Sequence, residues 1–282
     1  MKIAITGGAG YIGSALSENQ RFKELNNITV IDVKPQQSTD VGIDYRSYSR
    51  FEDFDVIIHL AGHSSVGKSI ADPDGAWENN VIGFRKLVKS LGKNQLLINA
   101  SSGSVYGNNS GISSEHHGLT PPSNTYDLSK MCGDLISTEG IQNGAQIVSL
   151  RFGTVAGYSS NMRWDLIVNK MSRDAAKLAK VQVVNPKVRR GVLFLPDLVK
   201  AIKLIISQPV PGIYNLSSMN TSVGELGEII SAKYAAALNV REEMNLSGYN
   251  FHLCTELFEN TFGNFRTTNL EEILRGLENE FD

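Results

Sequence analysis

Only two cysteines occur in 282 residues, Cys132 and Cys254, and neither has a histidine at metal-ligand spacing. That excludes a disulfide-built scaffold and gives no reason to expect a metal. Charge of one sign is also missing. Lys and Arg number 27 against 29 Asp and Glu, a formal net charge of -2, so neither nucleic acid nor an anionic membrane is an expected partner. Apolar runs stay short. Asp55-Val-Ile-Ile-His-Leu-Ala61 is among the longest, far below the ~20 residues of a membrane span. There is no internal repeat, no low-complexity tract and no Pro/Gly/Ser-rich linker. The N-terminal residues read directly as a strand, so no secretory leader is expected and a cytoplasmic location is. What remains is an ordinary globular composition, 41% hydrophobic and 20% charged, with length for one large or two modest domains.

Short, continuously apolar runs alternate with helical patterns in the first half. The runs are Lys2–Thr6, Asn27–Asp32, Asp55–Leu60, Gln95–Ala100 and Gln146–Arg151, with helical patterns near residues 11–20, 74–92 and 124–143. Runs buried on both faces and joined by helices predict a doubly wound parallel sheet, an α/β Rossmann-type fold. Beyond about residue 155 the pattern changes to helices over 162–180 and 196–207, a short strand at 213–216, and capping-box spacings at Ser222–Glu225 and Asn269–Glu272. This predicts a nucleotide-binding domain over 1–157 and a smaller α+β substrate-binding domain over 158–282, part of 190–217 returning to the first.

Gly7, Gly10 and Gly13 form GxxGxxG between the first strand and a helix that starts with Tyr11 and Ile12. Glycine there lets backbone approach a pyrophosphate at the helix N-terminus. Asp32 ends the next strand. A carboxylate at that place accepts from an adenosine ribose and repels a 2′-phosphate, favouring NAD over NADP. Leu60, Ala61 and Gly62 close the following strand, where small residues leave room for the cofactor. His59 should point away from the crevice by strand alternation. Asn80 and Gly83, costly inside a helix, suggest close packing, a binding role, or both.

Tyr126 and Lys130 stand one helical turn apart, downstream of Ser101-Ser102. An ammonium ~5 Å from a phenolate, at an effective dielectric of ~20, is worth ~3 kcal/mol. That lowers a tyrosine pKa by ~2 units, enough to make Tyr126 a general base near neutral pH.

In this order, Thr6–Ser14, Asp32, His59–Gly62, Asn79–Gly83, Ser101–Gly107, Tyr126–Lys130, Leu150–Gly157, Met162–Leu166 and Gly212–Leu216 resemble the extended short-chain dehydrogenases/reductases. The likeness is greatest to nucleotide-sugar epimerases of the UDP-glucose 4-epimerase type. The resemblance implies NAD as cofactor and a nucleotide sugar as substrate. It implies Tyr126 as base, Lys130 as its pKa-lowering and ribose-binding partner, and Ser102 as holder of the reacting hydroxyl. Asn80 would order the nicotinamide site, and Asp44-Tyr45 would touch adenine. Ser64, Thr154, Asp165 and Arg190 are the substrate-side candidates, Arg190 facing phosphate or else a plain surface charge. A reductase or dehydrogenase of the same family, exchanging NAD(H) at each turnover, is the alternative. Gly103-Ser104 stands where dehydratases carry an acid pair, with Glu115 the one other carboxylate nearby. Thr154 replaces a common asparagine, and Ser247 replaces an arginine two residues before Tyr249. A homodimer through a four-helix bundle is also implied. Ile82, Val88, Leu91, Met131, Leu135 and Ile136 would supply its face, unless they pack on the sheet.

Overall fold

Alternation along each buried strand sends neighbouring side chains to opposite faces, and both faces here are filled. Ile3, Ile5, Ile58, Ile98 and Val148 pack into one core cluster, whereas Ala4, Ile57, Leu97 and Ile147 pack into the other. The computed structural model describes residues 1–25, 27–37, 40–243 and 249–281. Its main sheet comprises β1 (Lys2–Thr6), β2 (Asn27–Asp32), β3 (Val41–Gly42), β4 (Val56–His59), β5 (Leu96–Ser102), β6 (Gln146–Phe152) and β7 (Gly212–Leu216). All are parallel, in the order β7-β6-β5-β4-β1-β2-β3. Strand order reverses at β1, so the crevice opens beyond the carboxyl ends of β1 and β4, the switch point of such sheets. Residues 212–216 do return to this sheet, pairing with β6. Helix α1 (Tyr11–Ser17) leaves the end of β1, and α2 (Thr125–Gln142) packs across β5 and β6.

A third cluster around Met171, Val181, Val192, Leu226 and Ile273 fills the smaller, later part of the chain. Both expected capping boxes are present, Ser222 with Glu225 and Asn269 with Glu272. The helix expected over 162–180 runs only from Ile167 to Leu178. Its first residues are held as a loop, because the Asn169 amide donates to the Arg163 carbonyl at 3.1 Å.

The segment 74–92 is not one α-helix. Pro73–Trp77 and Phe84–Lys89 are α-helical, and Glu78–Gly83 between them is a π turn. Tyr45 is the physical reason. Its hydroxyl donates to the Asn79 carbonyl, and a Cβ on Gly83 would stand 2.4 Å from that hydroxyl. The helix widens to admit the phenol, as π turns at functional sites do. Of the face suggested for a dimer, Val88, Leu91 and Ile136 pack into the sheet core and Met131 against Tyr106. Leu135 stays 64% exposed, with Leu128 on the same helix and Trp77 and Ile70 on neighbouring ones also open.

His59 is buried, as alternation requires. Its Nδ1 lies 2.8 Å from Thr6 Oγ1, and its ring packs between Tyr45 and Phe84. Burial, reinforced by the charge on Lys130, drives its pKa from 6.5 to about 3. The folded value lies below the unfolded one, so stability is full above pH ~6.5 and lost as pH falls from there towards 3. Urea unfolding at pH 5 should show about 2 kcal/mol less stability from this group than at pH 7.5. His59→Gln should flatten that part of the slope; an unchanged slope would refute the assignment.

Candidate active site

The ends of β1, β2, β4 and β5 open into a cavity of about 1070 Å³, above the usual range for a single small ligand. One end is a backbone cradle. Gly7 has φ +69, and a Cβ there would lie 2.6 Å from the Ala61 nitrogen; a Cβ on Gly13 would lie 2.4 Å from the Gly7 carbonyl. The N-terminus of α1 has no side-chain cap, and Gly10, Tyr11, Ile12 and Gly13 border the cavity there. Free N–H groups at such an end suit a pyrophosphate. Asp32 borders the same space at the end of β2, accepting from the backbone N–H groups of Ala9 and Lys34. A group with the shape of NAD fits these residues: the cradle excludes side chains, and a carboxylate waits one strand away.

Asp44 and Tyr45 border the cavity near Asp32. Asp44 caps a short turn and pairs with Arg46 at 2.6 Å, which holds its carboxyl below the usual range. Tyr11 does more than line the wall. Its hydroxyl donates to the Gly157 carbonyl at 2.7 Å and accepts from Asn169, bolting α1 to the later part of the chain.

Deeper in, beside Leu60, Ala61 and Gly62, the cavity is bounded by Ser102, Tyr126 and Lys130. The Lys130 ammonium donates to the Ala100 carbonyl at 2.7 Å and lies 5.8 Å from the centre of the Tyr126 ring. Burial brings its pKa down to about 8. The Tyr126 phenol departs from the sequence expectation. Burial raises its pKa, and the groups that pull it down are the Ser102 hydroxyl and the Arg163 charge, not Lys130. The lysine's hydrogen bond goes to a backbone carbonyl rather than to the phenol.

Ser64, Thr154 and Asp165 also border this cavity. Asn80 and Arg190 do not border the main cavity. The Asn80 side chain spans the loop after β4 and α2: it accepts from His63 N at 2.8 Å and donates to the Ser129 hydroxyl at 3.0 Å. Arg190 donates to the Arg189 carbonyl at 2.9 Å, and burial lowers its pKa to about 10. Glu115 accepts from the Asn215 backbone at 2.6 Å. Ser247 lies outside the described residues.

Arg163, Asn161 and Tyr249 also line the cavity, and the sequence did not single them out. Arg163 pairs with Asp165 and donates to the Ser64 carbonyl at 3.1 Å, bridging the crevice. It lies inside the Met162–Leu166 motif, where its charge was a usable signal. Asn161 donates to the Ala9 carbonyl at 2.7 Å. Tyr249 reaches the cavity because Asn250–Leu253 pairs with Asn108–Ser113, a long-range pairing with no local signature. Among the described residues no group of three His, Cys, Asp or Glu could hold a metal, and no helix is long and apolar enough to cross a membrane.

Residues 3–217 match the NAD dependent epimerase/dehydratase family. A UDP-glucose 4-epimerase of Streptomyces lividans is 30% identical over 182 residues, 57% of this chain and 54% of that protein. The chain thus matches about half the length of that relative. Among solved structures, UDP-glucuronic acid 4-epimerase from Bacillus cereus, in complex with UDP-glucuronic acid and NAD, superposes with TM-score 0.87 at 20% identity, covering 100% of this chain and 99% of that one. TunA, an NAD-dependent NDP-hexosamine 5,6-dehydratase of tunicamycin biosynthesis, superposes with TM-score 0.84 at 24% identity over 98% and 96%. At these identities the solved structures share the fold.

Proposed function

The chain belongs to the NAD-dependent epimerase/dehydratase family, and from that premise we propose that it is a nucleotide-sugar 4-epimerase. NAD, the cofactor of the family, supplies the acceptor and donor of a hydride. Tyr126 takes the proton from the hydroxyl at C4 as that carbon is oxidised, and Ser102 holds the oxygen. The 4-keto sugar turns over, and Tyr126 returns the proton to the same oxygen once hydride has come back to the other face. Lys130 orders the nicotinamide ribose. Ser64, Thr154 and Asp165 contact the substrate; Arg190, which does not border the cavity, is not assigned to its diphosphate. Residues 1–157 hold the cofactor, and 158–282 the nucleotide sugar.

The observation that carries this reading is the placement of carboxylates around Tyr126. A dehydratase must move protons at C5 and C6, which needs an acid and a base beside the hydroxyl residue. Gly103 and Ser104 offer neither, and Glu115 is turned to the Asn215 backbone. Asp127, next to the base, does not border the cavity, and both its oxygens accept hydrogen bonds, from Tyr249 and Asn124. Epimerisation therefore fits better than elimination. The UDP-glucose 4-epimerase likeness supports it.

The test is a panel of UDP-, dTDP-, GDP- and CDP-hexoses in D2O, with no NAD added. Formation of C4 epimers with C5 and C6 unlabelled is expected. Deuterium at either carbon, or turnover only when NAD(H) is supplied in stoichiometric amount, would replace this reading with elimination or net redox chemistry.

We also propose a homodimer. Leu128 and Leu135 on α2, with Trp77 and Ile70 beside them, leave an apolar strip uncovered. Light scattering at micromolar concentration should give twice the 30.8 kDa chain mass; a clean monomer would sink the proposal.

A further inference from the structure

Tyr249 forms a wall of the cavity, yet its hydroxyl is turned out of it, onto the helix that carries the base. That hydroxyl donates to Asp127 Oδ1 at 2.6 Å and accepts from Asn124 Nδ2 at 3.1 Å. Asn124 is the N-cap of α2; its Oδ1 accepts from the Asp127 backbone at 3.0 Å, and its amide donates to Asp127 Oδ2 at 2.8 Å. The three side chains close a triangle around the first turn of α2, with Tyr126 between two of its corners. On the other side, Asn250 Oδ1 accepts from the Arg189 backbone at 2.8 Å. That bond ties the segment bearing Tyr249 to the strand bearing Arg190.

We propose that Tyr249 is a positioning residue: through Asp127 and Asn124 it fixes the first turn of α2, and so sets the aim of Tyr126 into the cavity. Resting on the epimerase reading, this means that the later part of the chain does more than hold substrate. It completes the placement of the base. An N-cap alone leaves a first turn free to fray; here a phenol from 122 residues away closes it. Asp127 is held by these bonds as a structural acceptor. Burial raises its carboxyl pKa, while the Tyr249 and Ser104 hydroxyls pull it back.

Tyr249→Phe keeps the ring wall and removes the clamp. Amide exchange at residues 126–128, in the protein with its bound NAD, is expected to speed up about fivefold to tenfold, the worth of one hydrogen bond. On whichever hexose of the panel turns over, kcat should fall by a similar factor with KM within about twofold, since a misplaced base costs rate rather than binding. Asp127→Asn should fall likewise, and the double variant should be no worse than either single one, the mark of residues acting through each other. Unchanged exchange, faster exchange with unchanged kcat, or a rise in KM alone would each overturn the proposal. If wild type turns over no hexose, the epimerase reading fails on that result. Exchange then decides the clamp by itself: faster exchange in Tyr249→Phe upholds it, and unchanged exchange refutes it.

Discussion

Tyr126→Phe is expected to fold, to retain NAD and to lose at least ~10²-fold in turnover, the low end of what a general base supplies. The variant removes one oxygen from a half-buried ring and leaves Ser102 and Lys130 in place. The geometry makes the loss large. Tyr126 borders the cavity with Ser102 and Lys130, and the Ser102 hydroxyl and the Arg163 charge both pull its pKa down. The raised pKa of the phenol sets the direction of the pH response. The base acts as phenolate, so turnover should rise with pH from neutrality, limb by limb with phenol ionisation, and lose that limb in the variant. Bound NAD would be read by absorbance after denaturation. Near-wild-type turnover would remove Tyr126 from the mechanism.

Asp134→Ala is expected to destabilise the fold by about 3–5 kcal/mol, the cost of leaving a buried charge without its partner. Asp134 and Arg151 are 2% and 6% exposed and meet at 2.8 Å. Asp134 Oδ1 accepts from Ser149, which itself accepts from Asn99; Arg151 donates to the Tyr106 hydroxyl at 2.6 Å, which donates to Asn215. One polar chain thus joins α2, β5, β6, β7 and the loop after Ser102. Burial alone would lower the Arg151 pKa; Asp134 and Tyr106 more than offset it and raise it. Urea unfolding of Asp134→Ala and of Asp134→Ala with Arg151→Leu separates the causes. The double variant should recover much of the loss, because it removes the stranded guanidinium as well. A single variant within 1 kcal/mol of wild type would show the pair to be dispensable.

Local chemistry made the first half legible. β1, β2, β4, β5 and β6 begin and end within two residues of the runs in the sequence, since a strand buried on both faces leaves a continuous apolar signature. The glycine cradle, Asp32, Ser102, Tyr126 and Lys130 could be picked out for the same reason: each sits at the end of a strand or on the first turns of a helix, where spacing carries information. Both capping boxes were readable because a cap is a contact over three residues.

What the sequence could not determine depends on partners far along the chain. The π turn over Glu78–Gly83 exists because Tyr45 presses on it, and no helix propensity encodes a neighbour 34 residues away. The Arg163 charge reaches the Tyr126 phenol because a loop from the later part of the chain crosses the crevice to Ser64. Tyr249 meets Asp127 only through a strand pairing between residues 108–113 and 250–253. The sequence by itself determined the sheet and the cradle, and it singled out Tyr126 as the candidate base. Tertiary structure decided the base's surroundings, because electrostatics and aim depend on distances through space, which residue spacing along a chain does not carry.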